Sequence, residues 1–369
     1  MILRSLALTN FKNIAEANLE FSPKINCFLG NNGMGKSNLL DSIHYLSFAK
    51  SFGRLPDVML IRKDEDFAII NGKYIRHGAD EEINVGLRRA ARKSFRRGGK
   101  EYKRLSEHIG LFPAVMVAPA DQNLISGGAE ERRRFIDMII SQADAPYLDA
   151  LIRYGQGLEQ RNRMLRDGIS DPYLYSAVEE VMADAASLIT LRRRRHIDEL
   201  AQIFKHYYGL IGGEREIVGL EYSCSDEKYG GFREALDAVR QRDAVLKFTS
   251  AGPHRDDISF ILDGMSVKQT ASQGQTKTFT IALRFAQYDF LARATGRKPL
   301  LLLDDIFDKL DSLRVEKIIN IVGGEDFGQI FITDTNRKHL DEIMAYSGPD
   351  YRMWDVADGK FTLSAHEAH

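Results

Sequence analysis

The chain carries the stretch Gly30-Asn31-Asn32-Gly33-Met34-Gly35-Lys36-Ser37, which fits the pattern G-x-x-x-x-G-K-[ST] of phosphate-binding loops at every defined position. In this pattern glycines let the backbone curl so that N–H groups point at phosphate oxygens, and the lysine adds a mobile positive charge. Residues 25–29, which are apolar except for Asn26, predict a buried strand before the loop, and apolar spacing in residues 37–46 predicts a helix after it. We therefore expect all eight residues of the loop to hold a nucleotide triphosphate, with the Ser37 hydroxyl on Mg²⁺.

The composition is that of an ordinary globular chain. Its 369 residues are 28% charged and 44% hydrophobic, which allows two or three domains. The net charge is −1, so any contact with DNA or RNA must come from a local patch. Cys27 and Cys224 lie far apart without metal-ligand spacing, which favours a reducing compartment. We find no signal-peptide pattern and no apolar run of about 18 residues, so we expect a cytoplasmic protein with no membrane partner.

A second segment supplies the carboxylates that such a site needs. Residues 300–303 are four leucines, which predict a buried strand of the parallel type, and two aspartates follow them. We expect Asp304 to emerge beside the phosphate loop as a Mg²⁺ ligand. Asp305 points elsewhere and is the candidate to orient or deprotonate the attacking water. Lys36 and Asp305 are thus the predicted catalytic residues. The alternative is that the two aspartates only form a capping pair at the strand end.

The segment Ser272-Gln273-Gly274-Gln275, at the predicted start of a helix, resembles the signature motif of ABC-type ATPases. A serine hydroxyl, a glycine N–H and a helix N-terminus suit a γ-phosphate. The resemblance implies that Ser272, Gly274 and Gln275 act in trans, on ATP bound by the phosphate loop of a second copy. Two complete sites then require a homodimer with ATP between its subunits.

These motifs predict an α/β fold, a two-lobed ABC-type ATPase head. A mixed β-sheet lobe around the phosphate-loop helix is expected to contain residues 1–122 and 298–369. A mainly helical second lobe, residues 123–297, is expected to carry the signature motif. Apolar stripes between residues 130 and 208 predict three helices, but they sustain no clean heptad pattern, so we expect no long coiled coil.

Residues 88–104 contain many cations, only one acidic residue, and two aromatic residues, Phe95 and Tyr102. Such a stretch suits contact with DNA phosphates. The alternative is the edge of a solvated β-hairpin kept charged against aggregation. For the run Arg192–Arg195, a solvated helix face is favoured over DNA contact. The candidate DNA-binding residues are Arg88, Arg89, Arg92, Lys93, Arg96 and Arg97.

Further blocks make the resemblance more specific. The chain resembles the RecF family of bacterial DNA replication and repair proteins over nearly its whole length. Residues 131–137 and 252–257 are the most family-specific blocks, because other ABC heads lack them. The remaining matching blocks are residues 8–13, 30–37, 51–54, 119–121, 272–275, 304–305 and 309–311.

The resemblance implies an ATP-dependent DNA-binding protein of recombinational repair and replication-fork maintenance. Its ATP-driven homodimer would clamp gaps or junctions between single-stranded and duplex DNA, and weak, DNA-stimulated ATP hydrolysis would release it. It would help to load recombinase together with RecO- and RecR-like partners. ATP and Mg²⁺ are the implied cofactors. Two alternatives are a chromosome-tethering head, which has a much longer segment between its motifs, and a transporter-associated ATPase subunit, which lacks the arginine-rich stretch.

The chain departs from the ABC-type pattern at several positions. Asp305 stands where most ABC enzymes have glutamate, which would suit slow turnover. Thr333-Asp334-Thr335-Asn336 occupies the switch position, where many have histidine. The chain also differs from the family pattern at Gly53 and Arg54. We nevertheless expect Arg54 to lie near the nucleotide.

The resemblance does not assign a definite role to three other segments. Asp121 and Gln122 are both candidates for the Q-loop, and Lys309-Leu310-Asp311 resembles the D-loop that approaches the dimer partner. For His254 and Arg255, a structural role in bracing the signature helix is favoured over nucleotide contact.

Overall fold

The computed structural model describes residues 1–213, 215–308, 310–347 and 350–364. The chain forms two compact units. The first contains Met1–Asp121, Leu210–Gly212 and Lys277–His369, and the second contains Gln122–Gly209 and Gly213–Thr276. The expected lobe boundary after residue 297 therefore differs from the observed one after Thr276. The reason is that the helix following the signature motif is buried on nearly all sides, and its Arg284 pairs with Asp121 of the first unit.

The described strands and helices have the following bounds. The strands are β1 (Ile2–Phe11), β2 (Ile14–Glu20), β3 (Ile25–Leu29), β4 (Phe67–Arg76), β5 (Ala79–Arg88), β6 (Ser94–Arg97), β7 (Lys100–Glu101), β8 (Ala114–Val117), β9 (Val218–Ser223), β10 (Asp257–Leu262), β11 (Met265–Ser266), β12 (Leu300–Asp304), β13 (Ile330–Asp334), β14 (Tyr351–Ala357) and β15 (Lys360–Leu363). The helices are α1 (Lys36–Phe48), α2 (Gln122–Ser126), α3 (Ala129–Ala143), α4 (Ala145–Asp167), α5 (Pro172–Gly212), α6 (Phe232–Leu246), α7 (Val267–Thr270), α8 (Gln273–Thr295), α9 (Ser312–Gly323) and α10 (Arg337–Ser347).

The first unit contains two six-stranded sheets. One is antiparallel, in the order β2-β1-β4-β5-β6-β7, and its buried side chains alternate along β4 and β5 because successive residues of a strand face opposite sides. The other has the order β15-β14-β3-β13-β12-β8, with β15 antiparallel to β14 and all other pairs parallel. Its strand β12 is buried at every position, as expected for a parallel strand covered on both faces.

Helix α1 contacts both sheets and belongs to the main hydrophobic core of the first unit. Its Leu39, Leu40, Ile43 and Leu46 are fully buried, as their spacing predicted. The same packing places the N-terminus of α1 at the carboxyl ends of β3, β12 and β13. The predicted mixed sheet around the phosphate-loop helix is therefore confirmed.

The second unit is mainly helical and also contains the small antiparallel sheet β11-β10-β9. Helices α4 and α5 pack closely where Gly157 faces Met182, since a Cβ at Gly157 would lie 2.5 Å from the Met182 Cγ. The described residues show no long coiled coil, as predicted. The sequence did not predict strand β9, and it did not mark helix α6 as a separate element of the lobe that we expected to be mainly helical.

The end of the chain differs from expectation in one respect. We assigned no strand to the residues after β13, but β14 and β15 form a hairpin there that adds two strands to the sheet of β3, β12 and β13. From the sequence we expect residues 364–369 to be frayed, and all of them except Ser364 lie outside the described residues. Among the residues that the structure describes, no helix is long and apolar enough to cross a membrane.

Candidate functional site

The phosphate loop connects β3 to α1 and depends on glycine for two different reasons. Gly33 and Gly35 have φ of 83° and 110°, a left-handed conformation that favours glycine. Gly30 has no such φ, but a Cβ there would lie 2.3 Å from the Val356 backbone oxygen on β14. Asn31 and Asn32 are exposed at the loop tip, and Met34 is partly buried. The hairpin that the sequence did not predict thus packs directly against the loop.

Lys36 is fixed over the loop by two carbonyl groups. Its Nζ donates to the Gly30 oxygen at 2.6 Å and to the Asn31 oxygen at 3.0 Å. Burial lowers the pKa of Lys36, whereas the charges of Asp305, Asp304 and Asp334 raise it. The ammonium group is therefore surrounded by acceptors and carboxylates of its own unit.

Ser37 and Asp304 lie together, as predicted. The Ser37 hydroxyl donates to Asp304 Oδ1 at 2.8 Å, and the Thr333 hydroxyl donates to the same oxygen at 2.8 Å. Burial raises the pKa of Asp304, and these two hydrogen bonds oppose that rise. A hydroxyl and a carboxylate are the oxygen ligands that Mg²⁺ takes beside substrate phosphates, so the residues fit this ion.

Asp305 leaves the strand in a different direction from Asp304. Its φ of 50° is left-handed, and its backbone N–H donates to both the carbonyl and the hydroxyl oxygen of Thr333, each at 3.2 Å. Burial raises the pKa of Asp305, the charge of Asp334 raises it further, and Lys36 opposes both. A carboxylate with a raised pKa is better suited to accept a proton from water.

Asp334 at the switch position contacts a histidine that the sequence pattern did not reveal. Asp334 is buried and accepts from the Asn336 backbone N–H at 2.8 Å. His339 on α10 places its Nδ1 2.8 Å from Asp334 Oδ2, and its ring packs against Phe307. No motif spacing signals a contact five residues along the chain, so sequence reasoning missed this pair.

A second group of contacts connects the region of the phosphate loop to the β1–β2 turn and to the β14–β15 turn. Asn38 donates to the Asn13 side-chain oxygen at 2.8 Å, and the Gly359 backbone N–H donates to the Met34 oxygen at 2.9 Å. Buried Asp41 on α1 pairs with Lys12 at 2.6 Å. The same carboxylate accepts from the Ser51 hydroxyl at 2.7 Å. These contacts give structural roles to two blocks that the sequence associated only with a family.

The signature segment begins α8 with reciprocal hydrogen bonds. The Gln275 backbone N–H donates to Ser272 Oγ at 3.2 Å, and the Ser272 backbone N–H donates to Gln275 Oε1 at 2.8 Å. This arrangement is a capping box, whose pattern S-x-x-Q was visible in the sequence. Ser272 and Gly274 therefore lie at the N-terminus of a helix, as expected, within the second unit.

The segment that resembles the D-loop is partly described. Lys309 lies outside the described residues. Asp311 is the N-cap of α9, where its side chain accepts from the Arg314 backbone N–H at 3.0 Å. The predicted approach of Asp311 to a dimer partner remains a prediction.

The arginine-rich stretch forms the edge of the antiparallel sheet. Four of its arginines are exposed: Arg88, Arg89, Arg92 and Arg96. Arg97 is different, because two of its nitrogens donate to the Glu81 carboxylate. Lys93 differs from expectation, because its ammonium donates to Tyr45 Oη and the Ala49 oxygen and pairs with Asp57. Phe95 is buried against His108, so it cannot stack on a base.

Arg193 corrects our prediction that the whole run of residues 192–195 is a solvated face. It is buried, and it forms two hydrogen bonds with Asp137 at 3.0 Å and one with Asp256 at 3.0 Å. Arg132 pairs with Asp257 at 2.9 Å in the same region. Arg193 thus links the two family-specific blocks as a buried ionic clamp. Its apolar neighbours Ile189 and Ile197, one helical turn away on either side, were the signal for burial.

Among the remaining candidates, His254 and Asp121 have partners within the protein. His254 contacts Tyr154 Oη at 2.7 Å and the Thr249 oxygen at 2.9 Å, and burial lowers its pKa to about 4. These contacts connect it to α4, whereas we expected it to brace the signature helix. Asp121 is buried against Arg284, while Gln122 is exposed. Arg54 is exposed in a left-handed turn.

Comparison with known proteins agrees with these observations. Residues 2–349 match the family model of the RecF/RecN/SMC N-terminal domain. The chain is 49% identical to the DNA replication and repair protein RecF of Parabacteroides distasonis, with 98% of each chain covered. It is 48% identical to RecF of Bacteroides fragilis, with 97% of each covered.

Solved structures give the same result at the level of the fold. The recombination mediator protein RecF of the RecFOR pathway, in a structure described as RecF-ATP, has a TM-score of 0.86 and 27% identity, covering 98% of this chain and 99% of that one. An Smc head domain from Pyrococcus furiosus has a TM-score of 0.58 at 17% identity, covering 98% of this chain and 96% of that one, and shares the fold.

Proposed function

The chain belongs to the RecF family of DNA replication and repair proteins. On this basis, we propose that ATP controls its dimerisation and its affinity for DNA. The observation that carries the proposal is the site of the first unit. There Lys36, Ser37, Asp304 and Asp305 meet at the N-terminus of α1. Its eight-residue loop, a buried carboxylate and a second carboxylate with a raised pKa are the parts that ATP hydrolysis requires.

Different residues of this site would bind the phosphates and Mg²⁺. The loop N–H groups and Lys36 would hold the β- and γ-phosphates. Ser37 and Asp304 would hold Mg²⁺, which when bound neutralises phosphate charge. Because no group of three or more His, Cys, Asp or Glu side chains suited to a metal occurs among the described residues, this ion would depend on the nucleotide as well.

Hydrolysis would be slow in this site. Asp305 would orient or accept a proton from the attacking water, and its side chain is one methylene shorter than that of glutamate. The pair Asp334 and His339 would take the role that the switch histidine has in many ABC enzymes. A slow ATPase suits a protein in which ATP serves to hold a complex together and hydrolysis to release it.

The signature segment would complete the site in a second copy. Ser272, Gly274 and Gln275 lie at a helix N-terminus, which favours an anion. The homodimer would then place two ATP molecules between its subunits and clamp single-stranded or gapped DNA. Exposed Arg88, Arg89, Arg92 and Arg96 are the proposed phosphate contacts, and RecO- and RecR-like proteins are the proposed partners in the bacterial cytoplasm.

Binding to a gapped DNA duplex with and without Mg-ATP tests the proposal. We expect a large gain in affinity with ATP for the wild-type chain and none for Lys36→Met. ATP-independent DNA binding of equal strength would contradict the proposed switch. The family assignment argues against the two alternatives, a chromosome-tethering head and a transporter-associated subunit.

A further inference from the structure

A chain of hydrogen bonds in the second unit leads from α5 to the signature segment. The Tyr208 hydroxyl, near the end of α5, donates to Glu216 Oε2 at 2.5 Å. Glu216 Oε1 accepts from Gln275 Nε2 at 2.6 Å. Neither Tyr208 nor Glu216 belongs to a motif that pointed to the nucleotide, and no element was predicted around Glu216.

These contacts fix the orientation of the Gln275 carboxamide. Its oxygen accepts from the Ser272 backbone N–H, and its nitrogen donates to Glu216. A rotation by 180° would place the amide oxygen against the Glu216 carboxylate and the amide nitrogen against the Ser272 N–H. Both contacts would then be repulsive, because acceptor would meet acceptor and donor would meet donor. Glu216 therefore selects the orientation that closes the capping box.

The closed capping box determines what Ser272 can present. Ser272 Oγ accepts the Gln275 backbone N–H at 3.2 Å, and a hydroxyl that accepts in this way keeps its own proton for another acceptor. Tyr208 and Gln275 both donate to Glu216, which offsets its negative charge beside a helix N-terminus suited to an anion.

We propose that Glu216, held by Tyr208, is a positioning residue for the signature motif. It keeps the Ser272 hydroxyl and the N-terminus of α8 in the arrangement that receives the γ-phosphate of the partner's ATP. This inference rests on the proposed function, because it takes binding of that phosphate in trans as the role of the motif. Glu216 acts through Gln275 and does not touch the nucleotide.

Four variants test this role. Glu216→Ala removes the acceptor, Glu216→Gln keeps an amide oxygen for Gln275 Nε2, and Tyr208→Phe removes one of the two donors. Glu221→Ala changes an exposed glutamate on nearby β9 and is the matched control. Each variant is assayed for its dimer dissociation constant in Mg-ATP, its affinity for a fluorescent ATP analogue and its Tm.

We expect Glu216→Ala to weaken ATP-dependent dimerisation by about tenfold, the loss of one hydrogen bond to a charged group. Its nucleotide affinity and Tm should stay close to those of Glu221→Ala, because the phosphate loop is in the other unit. Glu216→Gln should restore most of the dimerisation, and Tyr208→Phe should show a smaller loss than Glu216→Ala.

The proposal is overturned if Glu216→Ala dimerises as well as Glu221→Ala. It is also overturned if Glu216→Gln is as defective as Glu216→Ala, or if the loss follows a fall in Tm that Glu216→Gln does not rescue. A wild-type chain that does not dimerise in Mg-ATP would instead contradict the proposed function itself.

Discussion

Lys36 donates to two carbonyl oxygens of its own loop, and Ser37 and Thr333 donate to the same oxygen of Asp304. These hydrogen bonds hold the side chains that would receive a triphosphate and Mg²⁺ in place before binding. Preorganisation of this kind reduces the entropy that binding must overcome. Single residues of the site therefore contribute through their position as well as through their charge.

Replacement of Lys36 by methionine tests the contribution of its charge. We expect Lys36→Met to weaken ATP binding by about 2 kcal/mol, or roughly 30-fold, because a charged hydrogen-bond donor to phosphate is removed. Lys24→Met, which removes a cation just before β3 at the other end of that strand, is the control. Equilibrium titration with a fluorescent ATP analogue measures both, and equal affinities would argue against the assigned site.

At the level of elements, Arg193 links three segments of the second unit. This residue brings α5 to Asp137 on α3 and to Asp256 next to β10. A buried ion pair that loses one partner leaves an uncompensated charge in a medium of low dielectric constant. The residues that identify the family most specifically are thus part of the internal structure of this unit.

Two variants of the same arginine run separate a buried role from an exposed one. Arg193→Met should reduce the free energy of unfolding by about 3–5 kcal/mol, because Asp256 stays buried, and Asp137 stays partly buried, without their cationic partner. Arg195→Met removes an exposed arginine that pairs with Glu199 one turn away, and it should cost less than about 0.5 kcal/mol. Urea unfolding followed by circular dichroism measures both. A similar cost for the two variants would contradict the clamp.

The sequence predicted the elements whose patterns are local. The strand–loop–helix of residues 25–48 and the buried strand before Asp304 have complete motifs and regular apolar spacing. The hairpin β14–β15 and strand β9 were missed because they are stabilised by pairing with distant strands. The partners of Lys93, Arg193 and Asp334 were missed for a similar reason, since a charge in a sequence does not show what it faces.

At the level of the whole molecule, a net charge of −1 leaves DNA binding to local patches. The cations that we propose as one such patch are Arg88, Arg89, Arg92 and Arg96, which are exposed at the edge of the antiparallel sheet. Lys93 and Phe95 do not contribute to it, because both are occupied within the first unit. The patch is therefore smaller than the sequence indicated.

The salt dependence of DNA binding measures the contribution of this patch. The combined change of Arg88, Arg92 and Arg96 to glutamine should reduce the slope of log K against log salt by about 0.9 for each duplex phosphate that is no longer neutralised. Arg153, Arg163 and Arg195, exposed arginines of the second unit, changed together to glutamine are the control. An unchanged slope in the first triple variant would mean that the stretch does not contact DNA phosphates and is a solvated sheet edge.

In the proposed homodimer, the phosphate loop of one chain and the signature segment of another form a single ATP site. Molar mass determined by light scattering in Mg-ATP shows whether this claim holds. We predict a dimer for the wild-type chain and a monomer for Lys36→Met, which binds ATP weakly. Ser272→Arg should also be a monomer, although it binds ATP with the wild-type affinity. Dimerisation of Ser272→Arg to the wild-type extent would contradict the claim.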